Sequence, residues 1–148
     1  MRYAGFWRRV LACLIDGVIV ISCGGVFAII AAAIIGAGMG IAGFERETDI
    51  AAATSAGRVV ALATVWLYYA LLESSSRQAT IGKMALGIIV IDEEGGQITF
   101  GKATVRYFAK ILSALLLFVG YLMVAFTQRK QGLHDLIAET LVINKEGA

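Results

Sequence analysis

The stretch FWRRVLACLIDGVIVISCGGVFAIIAAAIIGAGMGIAG, residues 6–43, decides the fold. From Val10 to Phe44 the chain has no Lys, Arg, Glu or Pro, and its one charge there is Asp16. A helix needs roughly 20 apolar residues to cross the hydrocarbon of a bilayer, and this run is longer. It therefore predicts a transmembrane helix over about residues 8–40. A carboxylate inside such a run costs on the order of 3 kcal/mol on insertion scales, so it is usually paired or functional. Asp16 is thus the first residue that needs an explanation.

The rest of the composition agrees. The chain is 59% hydrophobic and 16% charged with a mean hydropathy of +0.79, far from soluble averages. Its 148 residues suit one membrane domain in a lipid bilayer, with no room for a separate soluble enzyme. A net charge of +2 and the lack of a basic stripe argue against nucleic acid as a partner. Cys13 and Cys23 are ten residues apart on one predicted helix, roughly 15 Å by helical rise, which is too far for a mutual disulfide. They read as buried small hydrophobes. With a single His there is no metal-ligand spacing, and no cofactor is expected.

Outward from the first run, Arg2, Arg8 and Arg9 place the N-terminus in the cytoplasm by the positive-inside rule. The run is too long for a signal-peptide core and contains Asp16, so it reads as an uncleaved anchor. Gly24, Ala28, Ala32, Gly36 and Gly40 recur every four residues and offer a helix-packing face. Residues 44–49, FERETD, form an expected external loop, and Asp49 would cap a second transmembrane helix over about residues 50–73. Trp66, Tyr68 and Tyr69 suit an aromatic belt at its inner end, and Glu73 marks the exit.

Residues 78–101 change character. A short amphipathic helix, capped by Thr80, carrying Lys83 and closed by Gly87, should precede a β-hairpin. Its strands would be IIVID (88–92) and QITF (97–100) about an EEGG turn, outside the membrane. A third apolar segment spans about residues 106–127, entered past Arg106 and Lys110. It can be a third transmembrane helix or a re-entrant hairpin breaking near Gly120. The hairpin keeps Lys and Arg 2, 8, 9, 77, 83, 102, 106, 110, 129, 130 and 145 inside, with only 46 and 58 outside. It also puts the TLVIN strand (140–144), in the closing 131–145 segment, on the side where IIVID can pair with it. The expected fold is mainly α: two transmembrane helices, a re-entrant hairpin or third span, and a small cytoplasmic β-sheet.

Asp16 needs a partner other than Arg9, which is two turns away with its side chain tilted towards the helix start. Lys110, Arg106, a polar group of another subunit, or water could serve. Its site is either a buried ion pair fixing helix register or a place for a cation or proton. His134 and Asp135 are adjacent and so do not share a helix face, which argues against a catalytic pair; Asp135 reads as a cap for helix-start amides. TIGK at 80–83 lacks the Gly and the Ser/Thr of a phosphate loop.

These segments together resemble the RDD family of small bacterial membrane proteins. The family is named for an arginine opening the first membrane helix, an aspartate within it, and a late aspartate. Here those are Arg9 and Asp16 of GFWRRVLACLID and Asp135 of KQGLHDLIAETLV. ATIGKMALGIIVIDEEGG resembles the family's TxGKxxxG segment, and VRYFAKILS the entry to its last apolar run. Glu139 departs from the pattern, since Gly often precedes the Thr of the closing strand. The resemblance implies a bacterial inner-membrane location and a transport role, some members being described as sodium (lithium, potassium)/proton antiporters.

On that expectation Asp16 alternates between a proton and a monovalent cation while Arg9 and Asp135 hold the cytoplasmic side. Glu73, Thr80, Lys83, Arg106, Lys110 and His134 would be supporting polar residues. With so few helices and a long Gly/Ala face to cover, a homo-oligomer is expected. The rival expectation is a scaffold or assembly factor working through helix packing and its sheet. No nucleophile, metal cluster or acid pair suggests an enzyme.

Overall fold

A computed structural model describes residues 1–43, 46–116 and 119–145, without the side chains of 46, 48, 49 and 119. Helix α1 runs Phe6–Ile41 and α2 runs Arg46–Glu73. A one-turn helix α3 (Ile81–Ala85) leads into strand β1 (Ile88–Asp92). Then come α4 (Phe100–Leu115), α5 (Val119–Phe126), the one-turn α6 (Leu133–Ile137) and strand β2 (Thr140–Asn144). The chain forms two compact units, one of residues Met1–Gly17 with Tyr68–Ala148, the other of Val18–Leu67.

In the Val18–Leu67 unit, the small residues of α1 receive α2. A Cβ added at Gly57 would stand 3.0 Å from the Ala28 carbonyl oxygen and 3.5 Å from the Ala32 Cβ. One added at Gly36 would meet the Ala53 Cβ at 3.7 Å, while Gly24 and Gly40 have open space around them. So the middle of the small-residue face packs against this chain's own second helix, and its ends do not. It presents large apolar side chains outward, as lipid favours: Val26, Ile29, Ile34, Val59 and Leu62 are exposed. Both α1 and the Ile50–Glu73 part of α2 are long and apolar enough to cross a membrane.

Three expectations are corrected here. Helix α2 already begins at Arg46, so Asp49 lies inside it instead of capping it, and only residues 44–45 of the expected loop fall outside the described residues. Cys13 and Cys23 are exposed on α1, because the surface of a membrane helix is itself the apolar one. QITF is not a strand: the Thr99 side chain accepts the Lys102 amide as an N-cap, so Phe100 starts α4. The EEGG turn still forms, with the Asp92 amide donating to Gly96 O at 2.9 Å, but the returning chain enters a helix. The break expected near Gly120 is borne out: α4 ends at Leu115 and Gly120 stands in the first turn of α5, where a Cβ would be 2.8 Å from that of Ser113.

The third apolar segment is bent. The axes of α4 and of Gly120–Phe126 stand at 95°, the bend of a broken span or of a re-entrant loop. Residues 117–118 lie outside the described residues.

β1 pairs antiparallel with β2, Ile88 opposite Asn144 and Asp92 opposite Thr140. β-branched IIVID and TLVIN suit this half-buried pairing. The N-terminus lines the far edge of β2: the Ala4 amide donates to Val142 O and the Asn144 amide to Arg2 O, both at 2.9 Å. This pins the start of α1 beside the closing strand, which places the polar site.

Candidate functional site

The site lies in the Met1–Gly17 and Tyr68–Ala148 unit and has two parts. In the first, Asp16 is 1% exposed on α1. Its Oδ1 accepts the Tyr68 hydroxyl at 2.7 Å and the Gly82 amide at 2.7 Å, and its Oδ2 accepts the Thr80 hydroxyl at 2.6 Å. The Ile81 amide in turn donates to the Tyr68 hydroxyl oxygen at 3.2 Å. Three donors to one carboxylate satisfy its buried oxygens, as burial demands.

None of those donors is charged, so neither Lys110 nor Arg106, two of the four partners open to it, pairs with Asp16. Among the described residues Asp16 makes no ion pair. The cause is local. Thr80 precedes α3, so its hydroxyl and the Gly82 amide reach Asp16 on α1, while the Ile81 amide goes to Tyr68 of α2. Gly82 permits the contact: a Cβ there would stand 2.3 Å from the Ala12 carbonyl oxygen. Thr80 is therefore the N-cap residue by position, yet its side chain makes no capping bond and serves Asp16 instead.

The second part is a buried ionic chain. Arg106 Nε and Nη2 both donate to Asp135 Oδ1, at 2.9 and 2.6 Å, while its Nη1 donates to Glu73 Oε2 at 2.7 Å. Arg9 Nη1 pairs with Asp135 Oδ2, and Arg9 Nε donates to Ala4 O at 3.2 Å. Lys83 and Lys110 reach Glu73 Oε1 at 2.6 and 3.4 Å. Lys110 Nζ also stands 4.3 Å above the centre of the Tyr69 ring. Asp135 completes its shell by accepting the Gly132 amide at 3.1 Å, the helix-start contact its position suggests. Five elements, α1, α2, α3, α4 and α6, are thus tied by one arginine-centred network.

The electrostatics of the groups in the connecting segments follow from this. Burial alone would raise the Asp135 carboxyl, but Arg106 and Arg9 hold it well below the usual carboxylate range. Burial lowers the His134 imidazole to about 3 against the pull of Asp135. Its Nδ1 lies 3.5 Å from Ser113 Oγ, and its ring packs on Tyr121 with centroids 5.1 Å apart. Burial, with Arg106 and Lys110 repelling, brings the Lys83 ammonium down to about 7 although Glu73 opposes this. The 2.6 Å contact with Glu73 suits either form of Lys83, because a neutral amine still donates.

The fold therefore brings together Arg9, Asp135, Arg106, Glu73, Lys83 and Lys110, sets Asp16 and Thr80 in a separate cluster, and keeps His134 beside Asp135. Gly24, Ala28, Ala32, Gly36 and Gly40 lie outside both. Sequence reasoning missed Tyr68 and Gly82. Tyr68 reads as interfacial from its place near the end of an apolar helix, and only the fold brings it to Asp16. Among the described residues no group of His, Cys, Asp and Glu could hold a metal ion.

Membrane-length apolar helices, an embedded aspartate and a paired Arg9–Asp135 define the class, and the chain belongs to it: the model of the RDD family matches residues 3–139. Two relatives come from Bacillus subtilis (strain 168). Uncharacterized protein YxaI is 37% identical over 148 residues, 96% of this chain and 97% of the relative. Uncharacterized membrane protein YteJ is 29% identical over 155 residues, 97% of this chain and 82% of the relative. No solved structure matches. The chain is an RDD-family membrane protein.

Proposed function

We propose that this membrane protein exchanges a monovalent cation for a proton, with Asp16 as the group that carries either. One observation supports the reading. Asp135 and Glu73 are saturated by fixed cations, whereas Asp16 is buried with neutral donors only. A buried carboxylate without a cation is costly and gains most from binding a proton or a metal cation. Its surroundings suit a hard cation: two carboxylate oxygens and two hydroxyls able to turn from donor to acceptor.

In this reading the Arg9–Asp135–Arg106–Glu73 chain is the frame and Asp16 the working group. The chain is a transporter without a chemical step of its own, in the bacterial inner membrane with its N-terminus in the cytoplasm. Two spans and a bent third segment are few to enclose a path, so a second copy of the chain completes it.

The test is reconstitution in liposomes carrying an internal pH dye, under imposed sodium or potassium gradients. Wild type should move protons in response to the cation gradient, and Asp16→Asn should not, while melting at a similar temperature. Flux retained in Asp16→Asn would sink the assignment. A folded wild type without flux would favour the scaffold reading, to which the saturated ionic chain lends itself.

A further inference from the structure

A cleft of about 360 Å³ lies beyond the end of α2, away from both parts of the site. Ser76, Arg77 and Gln78 of the α2–α3 connection form one wall, Lys145 stands on the other, and Met84 and Ile89 contribute apolar surface. Its two ionisable residues are both cations. Neither forms an ion pair among the described residues; the Arg77 guanidinium reaches only the Met84 sulfur, at 3.8 Å.

Their backbones are nonetheless held in place. The Val90 amide donates to Gln78 O at 2.7 Å, fixing the residue next to Arg77 along β1. The Lys145 amide donates to Gly87 O at 2.8 Å, extending the β1–β2 ladder to the rim of the cleft. Two cations 68 positions apart in sequence are thereby brought to one concave site that no carboxylate lines among the described residues. Cations with no carboxylate partner among the described residues favour an anionic ligand, and the volume is that of a small-ligand pocket.

Position selects the ligand. Arg77 follows by four residues the last residue of a membrane-length helix, so the cleft opens where headgroups lie. The apolar surface of Met84 and Ile89 suits a glycerol backbone. We infer that this cleft binds the phosphate headgroup of an anionic phospholipid, Arg77 and Lys145 taking the phosphate and the Ser76 hydroxyl adding a donor. Basic pockets beside membrane helices recognise lipid headgroups by this chemistry.

Detergent-purified protein offered equal phosphatidylglycerol and phosphatidylcholine would be examined by native mass spectrometry. Wild type should retain phosphatidylglycerol preferentially. The double variant Arg77→Gln, Lys145→Gln should lose that preference by on the order of tenfold or more, each charge near a headgroup surface contributing to it. Arg58→Gln, which removes an exposed cation elsewhere, should keep it. Equal retention of the two lipids by wild type, or an unchanged preference in the double variant, would overturn the inference. Retention of inorganic phosphate without a preference among lipids would overturn it as well, and assign a soluble phosphate. Should the double variant melt early, Lys145→Gln alone carries the comparison, since only its backbone holds the sheet.

Discussion

Gly82 and Asp16 meet so closely that the Gly82 amide donates to the carboxylate at 2.7 Å, and a Cβ at Gly82 would stand 2.9 Å from the carboxyl carbon. The same Cβ would lie 2.3 Å from the backbone oxygen of Ala12, which cannot swing aside as a side chain would. One hydrogen-sized gap therefore holds α3 against α1.

Gly82→Ala should push α3 off α1 and strip Asp16 of its amide and Thr80 donors together. Overpacking of this kind costs about 1–3 kcal/mol. Thermal unfolding in detergent should show the loss, and liposome flux should fall as in Asp16→Asn. A variant with wild-type melting and flux would refute the close packing.

Arg106 is 2% exposed and serves two carboxylates with three nitrogens. Arg106→Gln should cost about 3–5 kcal/mol, the usual result of stranding a buried charge. Arg106→Lys should recover only part of it, because an ammonium cannot make the fork. Denaturation of the three proteins side by side gives the order, and a lysine variant equal to wild type would contradict the bidentate role.

His134 makes stability depend on pH in a defined direction. Its folded pKa, about 3, lies below the ordinary 6.5, so the folded state binds fewer protons between those values. Its contribution is complete above about pH 6.5 and is lost as pH falls, by up to about 1.4 kcal/mol per unit. Asp135, also depressed, adds its own loss only below the ordinary carboxylate range. Between pH 6 and 5, His134→Gln should therefore unfold with a flatter pH dependence than wild type. Identical slopes would show that His134 is charged in the folded protein.

Glu139 has φ +52, the left-handed conformation that glycine adopts without strain. Its carboxylate returns little, an exposed 3.3 Å contact with Lys102. Glu139→Gly should stabilise the protein by about 1 kcal/mol, strain relief outweighing the added freedom of the unfolded chain. A lower melting temperature would mean that the Lys102 contact matters more than the backbone.

The membrane helices were legible because length and hydropathy alone require them, and β1 and β2 because IIVID and TLVIN are β-branched runs. QITF misleads for a physical reason: its Thr can end a strand or cap a helix, and the capping bond to Lys102 wins. The charged residues of the site could be picked out singly, since a buried charge is conspicuous in an apolar chain. Their pairing could not. Arg9 and Asp135 are 126 residues apart, and nothing local distinguishes Arg106 from Tyr68 as the partner of Asp16.

The N-terminal edge of β2 also dictates an order of assembly. A ribosome delivers Tyr3, Arg9 and α1 first, yet Val142, Ile143 and Asp135, which hold them, come last. Throughout synthesis Arg9 waits without its carboxylate, and the α1 start without its strand. A chain halted before Asp135 lacks the carboxylate that Arg9 pairs with, so that contact is among the last of the network to close.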